Sequence, residues 1–148
     1  MRGLPVKTVD DVAALADEVL GPGFDVKAAE KRFGPIDRWV GELAPCRSTD
    51  PVFLEVILET LGGKLTGVQT KLTTPVDLPW DEIEAKLGKP EEGRMAADLW
   101  SGPLHYWFDR EPPHPRGRLL LLVAQGGGAP PEIAKLQGIT LRRAPEPR

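Results

Sequence analysis

Cysteine is nearly absent from this chain, Cys46 being the only one in 148 residues. That excludes an internal disulfide framework and any four-cysteine zinc site. Histidine is scarce too: only His105 and His114 occur. No H-x-x-x-H or His/Cys ligand spacing surrounds them, so no metal centre and no cofactor are expected. The longest apolar run, Leu119 to Ala124, falls far short of the roughly 20 residues of a membrane-spanning helix. The opening MRGLPVKTVDDVAALADEVLG carries Arg2, but Asp10 and Asp11 break the apolar pattern behind it. A signal peptide is therefore not expected, nor a lipoprotein anchor, and the expected location is cytoplasmic. An excess of one charge is also missing. Nineteen Lys and Arg face 22 Asp and Glu, a net charge of −3, which argues against nucleic acid or an anionic membrane as the main partner.

What the chain does have is turn chemistry, with 16 Gly and 16 Pro. Hydrophobic residues make up 41% and charged residues 28%, the balance of a globular domain. One domain, residues 1–148, is expected, long enough to bury roughly two-thirds of its unfolded surface. The Gly and Pro content predicts many short elements joined by tight loops.

Periodicity locates those elements. Val9, Val12, Ala13, Leu15, Ala16, Val19 and Leu20 have helical spacing, with Thr8 or Asp10 as N-cap and Gly21-Pro22-Gly23 as the stop. A second helix is predicted over Asp25–Phe33, ended by Gly34-Pro35. Residues 36–51 have no assigned pattern. Val52–Thr60 and Lys64–Thr73 read as an antiparallel hairpin around Leu61-Gly62-Gly63. A third helix is predicted over Trp80–Leu87, then strands over Leu104–Asp109 and Arg118–Gln125. Gly126–Pro131 reads as a loop, Glu132–Leu136 as one helical turn, and Ile139–Arg143 as a last short strand whose Arg142-Arg143 blunts an exposed edge. The tail, 144–148, is expected to fray.

Helix, gap, strand, turn, strand thus occurs twice, over 24–73 and 78–125. Phe33-Gly34-Pro35 matches Leu87-Gly88-Lys89-Pro90, and Pro51 to Val56 matches Pro103 to Phe108. A short helix ending in L-G-x-P, a polar gap and the aromatic strand Leu104-His105-Tyr106-Trp107-Phe108 resembles the repeat of the β-lactamase-inhibitor-protein fold. The pattern is similar, in the same way, to the small outer-membrane lipoproteins that assist β-barrel assembly. The resemblance spans about residues 24–125 and implies a tandem helix–hairpin architecture. The chain departs from those families in lacking an export signal and disulfide-forming cysteines, so activity against a β-lactamase does not carry over. The expected fold is α+β: an antiparallel sheet of about five strands with two or three short helices on one face.

Strand alternation separates two faces. Val52, Leu54, Val56, Leu58, Leu104, Tyr106 and Phe108 should pack under the helices. Phe53, Glu55, Ile57, Glu59, His105, Trp107 and Asp109 should form an open face, since one side of an antiparallel sheet commonly meets water. Aromatics rimmed by carboxylates suit a protein-binding surface. The alternative is that a helix or the C-terminal segment covers this face, and Leu119–Val123, apolar on both sides, fits a doubly covered strand.

Catalytic signatures are missing. Cys46 lies in no nucleophile motif and reads as a small buried apolar residue, and Gly126-Gly127-Gly128 lacks the spacing of a phosphate loop. No G-x-S-x-G occurs. The acidic run Asp81, Glu82, Glu84, Glu91 and Glu92 fits a solvated face with helix-dipole support. The expectation is a small protein that binds another protein, of the immunity or inhibitor type, with His105 and Trp107 among its apolar anchors and no catalytic residue. The alternatives are an adaptor or chaperone-like subunit and, behind it, a small enzyme using His105 or Cys46.

Overall fold

In the computed structural model, which describes residues 6–21, 23–89, 94–95, 104–110, 117–123 and 133–143, the chain opens with the helix its spacing predicts. That helix, α1 (Val9–Leu20), starts at Thr8: its hydroxyl accepts the Asp11 amide while the Asp11 carboxylate accepts the Thr8 amide. Such reciprocal capping satisfies donors that a helix start leaves open. The second helix, α2 (Val26–Phe33), is capped by Asp25, whose carboxylate accepts the Ala28 amide at 2.8 Å. There follow β1 (Leu43–Cys46), β2 (Phe53–Leu61), β3 (Lys64–Pro79), α3 (Trp80–Leu87), β4 (Arg94–Met95), β5 (Leu104–Arg110), β6 (Gly117–Val123) and β7 (Ile133–Arg143).

The strands make one antiparallel sheet in the order β1-β2-β3-β7-β6-β5-β4. Five strands are long and two, β1 and β4, are short. With three helices this is the α+β class expected. Helix, short strand and hairpin occur twice in sequence, and the two strand sets lie on either side of β7.

The helices meet the sheet through one apolar cluster. It joins Val12, Leu15 and Val19 of α1, Phe33 of α2 and Ile83 of α3 to Val56, Leu58, Val68, Leu121, Ile139 and Leu141 of the sheet. Edge-on ring contacts run from Phe24 to Phe33 (6.4 Å) and on to Phe53 (5.4 Å), a geometry aromatic quadrupoles favour. Arg143 donates to the carbonyls of Val19, Gly21 and Phe24. It thereby satisfies acceptors at the end of α1 and ties that helix to β7.

Four elements differ from expectation. Residues from Ile133 onward are strand, not a helical turn: Ile133, Ala134, Lys135 and Leu136 alternate exposed and buried, the period of a strand. Ile139–Arg143 belongs to the central strand, so Arg142 and Arg143 blunt no edge. Residues 36–46, without an assigned pattern, form a small hairpin. Val40 and Leu43 exchange backbone hydrogen bonds around Gly41-Glu42, and Gly41 takes φ +63°, which suits the first position of a two-residue turn. Finally, β3 runs on past Thr73 to Pro79. Pro75 falls where the β3–β7 register breaks, between Lys71 and Val76, and Pro79 falls at the strand end, the two places a sheet tolerates proline. The loop expected over Gly126–Pro131 and the frayed tail lie outside the described residues.

Candidate functional site: the second face of the sheet

Register decides which side chains share the face turned away from the helices, because directly paired residues project to the same side. One row runs Pro45, Ile57, Gln69, Thr140, Leu120, with Trp107 as the last backbone position. The next runs Glu55, Lys71, Gly138, Leu122 and His105. A third runs Leu43, Glu59, Gly67, Arg142, Arg118 and Asp109. Glu55, Ile57 and Glu59 therefore do lie together on the second face. His105, Trp107 and Asp109 occupy backbone positions in the same rows, and their side chains lie outside what the structure describes.

Phe53 does not belong there. It is 2% exposed and packs edge-on against Phe33, while its neighbour Leu54, expected in the core, is 57% exposed. The cause is a shift of register between Phe53 and Glu55: Phe53 pairs with Leu72 and Glu55 with Lys71, leaving Leu54 without a place in the ladder. One extra residue inverts the alternation on its N-terminal side.

The third row is an electrostatic unit. Arg142 donates two hydrogen bonds to Glu59, each 3.0 Å, and Gln69 donates a third. Glu59 and Arg142 are two strands apart, and Gly67 stands between them. A Cβ on Gly67 would sit 2.5 Å from the Glu59 Oε1 and 2.8 Å from the Leu141 carbonyl oxygen. Glycine is what lets the carboxylate cross β3. Burial raises the Glu59 pKa, but the hydrogen bonds from Arg142 and Gln69 and the Arg142 charge outweigh it and hold the carboxyl below its ordinary value. Glu59 is thus committed within the fold rather than standing as a free charge.

Beside this row lies an apolar corner that strand alternation in the sequence did not reveal. Val40 pairs with Leu43, Leu43 with Glu59, and Leu61 with Lys64 beyond a second register shift. All three side chains project from the second face and are 54%, 40% and 65% exposed. Trp39, 53% exposed, adjoins them in the small hairpin. The missed signal is Gly41-Glu42 flanked by Trp39-Val40 and Leu43, a two-residue turn between apolar pairs. Toward the middle of the face Ile57 and Leu122 are half-buried, while Leu120 and Thr140 are buried although they stand outside the core cluster.

The other candidates are placed as follows. Cys46 is half-buried with its thiol 3.7 Å from the Ala44 carbonyl, and burial together with the Glu30 charge pushes its pKa up to about 11. That disfavours a nucleophilic role, which requires thiolate. In α3, Glu84 accepts from the Trp80 indole at 2.7 Å and Lys86 meets Asp10 of α1 at 3.3 Å, so part of the acidic run serves helix packing. His114 lies outside the described residues. Among the described residues no three His, Cys, Asp or Glu side chains gather as metal ligands. Comparison with protein families, with curated proteins and with solved structures returns no match.

Proposed function

We propose that this chain is a small cytosolic protein-binding module of the immunity or inhibitor type, which blocks a toxin or enzyme partner through the second face of its sheet. The observation that carries this reading is the exposed corner of Val40, Leu43 and Leu61 set beside the paired Glu59 and Arg142. An apolar patch with a polar rim marks interaction surfaces. Side chains held in place before binding lose less conformational freedom when a partner arrives. The net charge of −3 would favour encounter with a basic partner.

The test is capture by the tagged full chain from lysate of its source, followed by purification of what is captured. Wild type should retain one protein stoichiometrically and inhibit its activity at one equivalent. A Leu43→Asp/Leu61→Asp variant with an unchanged melting curve should lose both. Equal capture by both proteins, or capture without inhibition, overturns the reading. Self-association of the isolated chain on size exclusion would instead favour an adaptor subunit.

A further inference from the structure

At the centre of the second face the sheet carries a hollow of about 370 Å³, unrelated to the apolar corner. Its origin lies in β7. Leu136 and Ile139 both point into the core, yet two residues separate them instead of the one or three that strict alternation allows. Gln137 is the extra residue: Gly138 pairs with Lys71 and Leu122, Leu136 pairs with Val76 and Val123, and Gln137 has a place in neither ladder. A bulge of this kind re-aims a side chain; here it brings Gln137 to the wall of the hollow. Beside it Gly138 lets β7 close on its neighbours, since a Cβ there would lie 2.7 Å from the Thr70 carbonyl oxygen and 3.1 Å from Leu122.

The polar groups around the hollow are distinct in kind, and four of them are uncommitted. Among the described residues no hydrogen bond or ion pair engages the side chains of Glu55, Lys71, Gln137 or Thr140. Lys71 supplies an ammonium, Thr140 a hydroxyl and Gln137 an amide, a set able to hold a carboxylate. Gln69 gives one amide hydrogen to Glu59 and keeps its carbonyl oxygen, an acceptor, for the hollow. Glu55 is a second acceptor, across β3 from Gly138. Ile57 and Leu122 supply the apolar wall. Donors and acceptors of opposite charge, with an aliphatic surface beside them, complement a small zwitterion. The volume is at the low end of the roughly 300–1,000 Å³ of ligand pockets.

We infer that the hollow beside Gln137 is a binding site for a free aliphatic α-amino acid. Its carboxylate lies toward Lys71, Thr140 and Gln137, its ammonium toward Glu55 and Gln69, and its side chain on Ile57 and Leu122. Glu55 and Lys71 stand opposite each other on the β2–β3 pair but make no ion pair. A zwitterion that takes one partner from each displaces little stabilisation.

The test needs no protein partner and is made on the ¹⁵N-labelled chain by NMR titration with three probes. L-Leucine should shift the Leu122, Gln137 and Gly138 amides saturably. N-acetyl-L-leucine, which lacks the ammonium, and L-leucinamide, which lacks the carboxylate, should each bind about tenfold more weakly, the loss of one charge-assisted contact. Lys71→Met should weaken leucine by a similar factor and leave leucinamide unchanged. Glu55→Gln should weaken leucine and leave N-acetyl-leucine unchanged, because each variant removes a contact that its probe has already lost. No saturable shift up to about 10 mM, or equal binding of all three probes to the wild-type chain, overturns the inference without recourse to any variant.

Discussion

Phe53 and Leu54 exchange the places that strict alternation assigns them, and the two should respond to truncation in opposite ways. Phe53→Ala removes a ring fully buried between α2 and the sheet and should cost about 3–5 kcal/mol in urea denaturation. Leu54→Ala should stay within about 0.5 kcal/mol, as surface changes do. Equal losses would place both side chains in the core. The bulge that separates them has no glycine or proline in the strand to announce it, so periodicity could not see it, whereas Glu55, Ile57 and Glu59 beyond it followed the alternation. Cys46 gives a second residue-scale test. A thiol at about 11 carries roughly a hundredfold less thiolate at neutral pH than one at the ordinary value of 9.0. Its alkylation by iodoacetamide at pH 7, followed by mass spectrometry, should be correspondingly slow, and Glu30→Gln should speed it by removing the repelling charge. Modification of Cys46 at the rate of a free thiol would show the burial to be lost in solution.

Between elements, the Glu59–Arg142 link joins β2 to β7 across β3, and its pH dependence has a definite sign. The folded pKa of Glu59 lies below its ordinary 4.5, so the unfolded chain binds more protons at this site. The link contributes fully above pH 4.5, and its contribution is lost as pH falls through the lower folded value. Unfolding free energy from urea titrations followed by circular dichroism should therefore fall more steeply below pH 4.5 in wild type than in Glu59→Gln, which lacks that component and is the less stable protein at neutral pH. Identical acid profiles for the two proteins would mean that the link does not act in solution. The three helices were legible because local chemistry marks their ends: Thr8 with Asp11, Asp25, and the glycines after Phe33 and Leu87. The Glu59–Arg142 link was not, since 83 residues separate its partners and only the sheet register brings them together.

At the scale of the molecule, β7 is the member on which the sheet depends. It pairs on one side with β3 and on the other with β6, whereas β1 carries a native proline, Pro45, beside β2. Ile139→Pro removes a ladder donor from the central strand and a fully buried side chain. It should abolish cooperative thermal unfolding, whereas Pro45 stands in the edge strand, where a sheet tolerates proline. A variant that still melts in one sharp transition would show β7 to be dispensable. The α+β class and the two hairpins could be read from sequence because turns pair neighbours. The insertion of the last strand between two distant hairpins could not, because no local pattern records which strands meet across 60 or more residues of chain, as Thr70 and Ile139 do here.

That insertion has a consequence for the chain while it is being made. Synthesis is vectorial, so both three-stranded halves leave the ribosome before the strand that joins them. Until Ile133–Arg143 follows, β3 and β6 each present a long bare edge of backbone amides and carbonyls, the template on which foreign strands assemble. A nascent polypeptide built this way is most exposed to aggregation in the interval between the emergence of β6 and the docking of β7.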